Sequence, residues 1–229
     1  MENLLKIELT NYLCGFISET RKKRFNEVIS QRTDHLRVVL ENVYQDHNAS
    51  AVLRSCESFG IQHVHFIENR NALRISDDVS MGSHKWLTVH RHNQGENNTP
   101  EALQHLKNLG YRIVATTPHE NDVTIDALPV DRKLALIFGT ELDGITPDAR
   151  DAADEFVKIP MYGFTESFNV SVCAALCMYD LSTRIRKQVP DYLLKEDEKT
   201  EIYLDWLMNS IDKSEALVRD YLEKKQIGR

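Results

Sequence analysis

Short apolar runs alternate along this chain with stretches whose apolar positions recur every three to four residues. The runs at 36–40, 63–67, 111–116, 134–138 and 156–159 read as strands. Between the first two, 48–59 reads as a helix with an apolar stripe at Ala49, Val52, Leu53, Cys56 and Phe59, and Gly60 closes it. Thr99 as N-cap and Pro100 in the first turn open a further helix that Gly110 stops. Thr146 and Pro147 open a short one, and a long helix covers about 168–187. The first 30 or so residues read as two helices broken near Gly15 and Ser18, with Phe25, Val28 and Ile29 on the apolar side of the second. After Pro190 the chain is acidic and helical, with Trp206 and Leu207 as docking residues. No unit of roughly 20–50 residues repeats. Strands alternating with helices predict an α/β protein around a mostly parallel sheet. In such sheets ligands sit beyond the carboxyl ends of the strands.

The chain has 229 residues, enough for one domain with a helical attachment. At 41 % hydrophobic and 28 % charged it is neither disordered nor fibrous. Its longest uncharged run, the thirteen residues 167–179, falls short of the ~18 apolar residues of a membrane helix. Glu2, Lys6 and Glu8 interrupt the first apolar stretch, unlike a secretory leader. Cysteines at 14, 56, 173 and 177, with no C-x-x-C pair, read as reduced, mostly buried thiols of a cytosolic (cytoplasmic) protein. A net charge of −7 argues against a general nucleic-acid binder. Distribution matters more than the sum. Residues 17–37 carry Arg21, Lys22, Lys23, Arg24, Arg32 and Arg37 against three acidic residues, and Arg184, Arg186 and Lys187 form a second knot. Either cluster alone reads as a solvated helix face.

Several familiar signatures are missing. The nine glycines never form G-x-G-x-x-G. Gly139 and Gly144 frame a P-loop-like spacing, but Ile145 and Thr146 follow where a lysine is needed, and Glu141 and Asp143 would repel phosphate. No G-x-S-x-G elbow exists. His63/His65 and His90/His92 can each share a strand face, but without a third ligand at a standard spacing they read as satisfied or surface histidines. Cys173 and Cys177 share a helix face and read as packing.

Three polar constellations remain where apolar segments end. Asn48 stands at a helix start, and Arg54 lies opposite that helix's apolar stripe, within reach of Glu57. The buried run 134–138 ends at Gly139, where a ligand can approach the backbone, and Glu141 follows. A Gly/Pro loop after Ile159 leads to Ser167, a possible N-cap, and Asn169 at the start of an almost wholly apolar helix, which suggests a subunit interface as well as a core.

These segments, N-x-x-x-x-x-R, F-G-x-E-x-x-G and I-P-M-x-G-x-x-x-S-x-N-V-S, resemble in order the three motifs of the SPOUT class of RNA methyltransferases, in its SpoU/TrmH branch. Together they spread from 42 to 175. The basic N-terminal helix, Leu-Glu-Asn-Val at 40–43 and the segment 80–86 fit as well, and the C-terminal tail fits loosely. Phe168 departs from the leucine usual in that family.

The resemblance implies a SPOUT α/β trefoil-knot fold with a mostly parallel sheet. It divides the chain into an N-terminal helical RNA-binding extension (1–34), a methyltransferase domain (35–188) and a C-terminal helical extension (189–229). It implies S-adenosyl-L-methionine as cofactor, held at Thr116, Gly139, Ile159 and Phe168. It implies methylation of a ribose 2′-hydroxyl, most closely that of a D-loop guanosine in tRNA, by a homodimer that takes neither DNA nor a membrane as partner. The catalytic set carried over is Arg54, Asn48, Glu141, Ser167 and Asn169, with Arg21, Lys22, Lys23, Arg24 and Arg32 as RNA contacts. Ribosomal RNA as the target is an alternative, and so is a non-catalytic RNA-binding or assembly protein on the same fold.

Overall fold

The computed structural model describes residues 2–70, 80–117 and 123–227. In chain order its elements are α1 (Glu2–Cys14), α2 (Glu19–Ile29), β1 (Leu36–Glu41), α3 (Asp46–Phe59), β2 (His63–Ile67), a 3-10 turn (Ser83–Trp86), β3 (Thr88–His92) and α4 (Thr99–Asn108). There follow β4 (Arg112–Thr116), β5 (Val123–Thr124), a 3-10 turn (Ile125–Ala127), β6 (Leu134–Phe138), α5 (Pro147–Ala152), β7 (Glu155–Lys158), α6 (Val170–Gln188), α7 (Glu196–Ser210) and α8 (Ser214–Ile227). The chain forms two compact units, 33–192 and a terminal unit of 1–32 with 193–229. Among the described residues no helix is long and apolar enough to cross a membrane.

Unit 33–192 is built on a seven-stranded sheet in the order β3-β2-β1-β6-β4-β7-β5, with every described pairing parallel. β1 and β6 lie centrally and are buried along their whole length, which is why their sequences are near-continuous apolar runs. One core packs Val38, Leu40, Leu136 and Phe138 against Val52, Leu53 and Cys56 of α3 and Ala174, Cys177 and Leu181 of α6. The other packs Val39, Ile113 and Ile137 against Ala102, Leu103 and Leu106 of α4 and Ala149 of α5. Gly60, at φ 76°, ends α3 in the left-handed conformation that only glycine adopts without strain.

Two helix starts differ from expectation. Asn98, not Thr99, precedes α4, because the Thr99 hydroxyl donates to buried Glu41 (2.6 Å). Asn169, not Ser167, caps α6, accepting from the amides of Ser171 and Val172.

The four strand histidines occupy one face of β2 and β3. His63 Nδ1 lies 3.0 Å from His90 Nε2, and His65 Nδ1 lies 3.0 Å from His92 Nε2. Each pair is satisfied when neutral, one ring donating and the other accepting. Burial, reinforced by neighbouring rings and Arg37, pushes His65 far below the ordinary histidine range and His90 down to about 3. Burial also lowers His92. Within unit 33–192, Asp34, Arg37, Glu101 and His105 also act on these rings. The unfolded chain protonates His65, His90 and His92 near pH 6.5 while the folded one does not, so their contribution is full above that pH and drains as pH falls toward about 3. The melting temperature is therefore expected to fall between pH 7.5 and pH 5, before carboxylates titrate. An unchanged value over that interval would contradict the assignment.

In the terminal unit Ser18 caps α2, its Oγ accepting from the Arg21 amide at 3.2 Å. Phe25 packs edge-on against Tyr203 and Trp206, and Trp206 and Leu207 are buried as expected. Arg21, Lys23 and Arg24 are exposed, and Lys22 pairs with Glu19 at 2.6 Å. Arg32 corrects the sequence reading. It is 1 % exposed, with its guanidinium against the Trp206 ring, so it is not part of a basic surface.

Candidate active site

The carboxyl ends of β1, β4, β6 and β7 each lead into a polar loop, as a parallel sheet requires of its ligand edge. The ends of β4, β6 and β7 line a cavity of about 710 Å³, within the range of small-molecule sites. Thr116, Gly139, Ile159 and Phe168, the four positions expected to hold a cofactor, all line it. Phe138, Val157 and Val170 extend its apolar wall, while Glu141, Arg150, Lys158 and Glu166 supply charge.

The loop after β6 closes on itself. Thr140 and Gly144 exchange backbone hydrogen bonds (2.9 and 3.1 Å), and the Thr140 hydroxyl accepts from the Asp143 amide. A Cβ on Gly139 would lie 2.1 Å from the Gly144 carbonyl carbon and oxygen and 2.4 Å from the Ile145 nitrogen. The glycine thus makes room for the returning chain, where the sequence suggested room for a ligand. That turn holds Glu141 at the rim.

Three distant segments meet at Glu141. Its Oε1 accepts from Asn48 Nδ2 (2.7 Å) and Asn169 Nδ2 (3.0 Å), and Asn169 Nδ2 also donates to Asn48 Oδ1 (3.1 Å). The second amide hydrogen of Asn48 goes to Gln45 Oε1 (2.9 Å). Asn48 is buried, and does not cap α3; its amide is turned to the carboxylate instead. Asn169 Oδ1 caps α6 while its amide joins the network, so one side chain fixes both the helix start and the rim. Oε2 of Glu141 accepts nothing from the described residues, which leaves it the network's open acceptor.

Ser167 lines the same cavity and is exposed. Arg54 does not join. It is exposed on α3, lines no part of the cavity, and makes no ion pair with Glu57 or any other described residue. Glu41 escaped the sequence reading as a functional residue. Only 1 % exposed, it accepts from Thr99 Oγ1 (2.6 Å), Thr146 Oγ1 (2.6 Å) and the Thr146 amide (2.8 Å), anchoring the far end of the Glu141 loop. The available signal was a carboxylate directly after the apolar Val38-Val39-Leu40 run.

Residues 35–179 match the model of the SpoU rRNA Methylase family. A tRNA (guanosine(18)-2′-O)-methyltransferase of Borreliella burgdorferi is 41 % identical over 194 residues, 85 % of this chain and 87 % of that protein. One of the same description from Aquifex aeolicus is 32 % identical over 86 % of this chain and 93 % of its own length. Among solved structures, the A. aeolicus TrmH/SpoU tRNA modifying enzyme superposes with a TM-score of 0.76 at 30 % identity, over 85 % of this chain and 98 % of that one. The SpoU methyltransferase AviRb of Streptomyces viridochromogenes, in complex with AdoMet, shares the fold at a TM-score of 0.59 and 23 % identity, over 71 % of this chain and 62 % of that one.

Proposed function

Because the chain belongs to the SpoU rRNA Methylase family, we propose that it is an S-adenosylmethionine-dependent RNA ribose 2′-O-methyltransferase whose substrate is a D-loop guanosine of tRNA. The observation that carries this reading is the bonding of Asn48, Glu141 and Asn169, one from each motif, at the rim of a cavity. The trefoil crossing of the loops is inferred from family membership.

The cavity suits the cofactor. Ile159 and Phe168 offer flat apolar contact to an adenine, backbone groups at Thr116 and Gly139 offer hydrogen bonds, and the charged lining groups Arg150, Lys158 and Glu166 match a zwitterionic tail. When bound, S-adenosylmethionine supplies an electrophilic sulfonium methyl group. This chain's part is to align a ribose 2′-oxygen and help it lose its proton. Asn48 and Asn169 hold the Glu141 carboxylate fixed, which leaves Oε2 to receive a ribose or base donor without reorganisation. Ser167 offers a hydroxyl to a phosphate. Arg54, a fixed cation, grips a backbone phosphate from the open face of α3 and stabilises charge developing on the oxygen.

The test is incubation of purified protein with donor and a tRNA transcript, followed by mass-spectrometric mapping of ribose methylation. A 14-mass-unit gain on one D-loop guanosine is expected, and none on a DNA copy, which lacks the hydroxyl. Methylation confined to ribosomal RNA would replace the substrate assignment. Absence of both methylation and donor binding would leave the non-catalytic reading.

Exposed Arg21, Lys23 and Arg24, with Lys22, provide phosphate contacts. Changing all four to alanine is expected to lower the slope of log affinity against log salt by about 0.7–0.9 per lost contact while donor affinity holds. An unaltered slope would remove the patch from the RNA interface.

The protein acts in the cytoplasm as a homodimer. On α6, Val172, Leu176 and Tyr179 are 46 %, 42 % and 63 % exposed on one face, an apolar strip that a second copy covers. Leu176→Asp is expected to yield monomers in sedimentation; a dimer retained by that variant would exclude the strip.

A further inference from the structure

The same cavity carries a chemistry that methyl transfer does not use. Cys173 and Cys177 both line it, one turn apart on α6. Cys173 is partly open and Cys177 is 1 % exposed. The other two cysteines are not among the residues lining the cavity. Cys14 belongs to α1, and Cys56 sits in the core with its sulfur 3.5 Å from Met178 Sδ. A hydrogen bond with the Cys177 thiol lowers the pKa of Cys173, and the same contact together with burial raises that of Cys177. A thiolate with a neighbouring thiol to follow is the reactive form of a dithiol.

Geometry selects what such a pair can take. Side chains four apart on a helix have Cβ atoms roughly 5–6 Å apart, whereas a disulfide needs about 3.5–4.5 Å. Closing a direct S–S bond would therefore distort α6, but a single soft atom inserted between the sulfurs spans the gap. Among the described residues, no third histidine, cysteine or carboxylate stands with the pair to complete a metal site. That favours a centre satisfied by two sulfurs.

We propose that Cys173 and Cys177 form a dithiol site for trivalent arsenicals, and that its occupation excludes the methyl donor from the cavity. With phenylarsine oxide the reaction balances without redox. Two As–S bonds form, the As–O bond breaks, and the oxide oxygen leaves as water with both thiol protons, arsenic remaining trivalent. The exclusion half rests on the reading of this cavity as the donor site.

The experiment combines intact mass and calorimetry on the full-length protein. One adduct per chain, with the mass of the reagent less one water, is expected in the wild type and in a Cys14→Ser/Cys56→Ser variant, and is reversed by excess dithiothreitol. Cys173→Ser and Cys177→Ser should each lose it; should the buried Cys177 change unfold the protein, the partly open Cys173 position decides the matter. Donor affinity in the treated wild type is expected to fall about tenfold or more. No adduct, or one that survives Cys173→Ser, overturns the site. An adduct that leaves donor affinity unchanged overturns the exclusion. Untreated protein that binds no donor overturns the methyltransferase reading instead, and the mass result then judges the dithiol alone.

Discussion

Replacing Gly139 with alanine is expected to abolish methyl-donor binding and lower the melting temperature by several degrees. The new Cβ would stand 2.1 Å from the Gly144 carbonyl and 2.4 Å from the Ile145 nitrogen. These are backbone atoms, and the turn is locked by the paired Thr140–Gly144 hydrogen bonds and by Thr146 on Glu41. No side-chain rotation relieves the overlap. Overpacking of this kind costs about 1–3 kcal/mol or more, which in a chain of this size moves the midpoint by roughly 2–4 °C per kcal/mol. Displacing the turn also moves Glu141 away from Asn48 and Asn169, so residual activity at saturating donor should be absent as well. Gly163→Ala is the control. It lies in the loop after β7, between the cavity-lining Met161 and Glu166, but its nearest neighbour would be 4.0 Å away, and it has no left-handed φ to maintain. Donor affinity in Gly139→Ala within twofold of wild type by calorimetry would refute the account of that turn.

Arg54→Ala is expected to separate chemistry from donor binding. The Arg54 side chain lines no part of the cavity and engages no described partner, so its removal should leave donor affinity and stability unchanged. If it grips phosphate and stabilises the developing oxyanion, kcat on tRNA should fall by about 10²–10³. Arg54→Lys should retain measurable activity, because charge survives while bidentate geometry does not. Equal loss in both variants would mean that the electrostatic role is wrong and that the guanidinium geometry itself is indispensable. A parallel loss of donor affinity would mean that residue 54 acts on the cavity after all.

The two variants divide the site into parts that the primary chain disclosed unequally. Five of the seven strands, the Gly60 stop of α3, the Thr146 cap and the apolar sides of α2 and α3 were legible, whereas the edge strands β3 and β5 and the Ser18 cap were not. Each legible feature depends on periodicities and caps spanning a few residues. The three motifs were legible as residue types in order, and the four positions assigned to the cofactor do face one cavity. What local pattern could not supply was the partner of each polar group. Arg32 looks like its basic neighbours on paper, and only Trp206, 174 positions later, shows it to be a core residue. Ser167 was the expected cap of α6, but Asn169 takes that place, its amide held by Asn48 and Glu141. Thr99 left its expected cap for Glu41.

The sequence by itself determined the alternation of strand and helix, the mostly apolar central strands that demand helices on both faces, and the identity of the groups able to do chemistry. Those follow from short-range sterics and from which residues water rejects. The tertiary structure alone decided which of those groups meet, that Gly139 yields to its own returning chain, that Arg54 stands outside the cavity, and that two thiols look into it. Such choices depend on distances between residues roughly a hundred positions apart, which are set by the packing of the sheet as a whole.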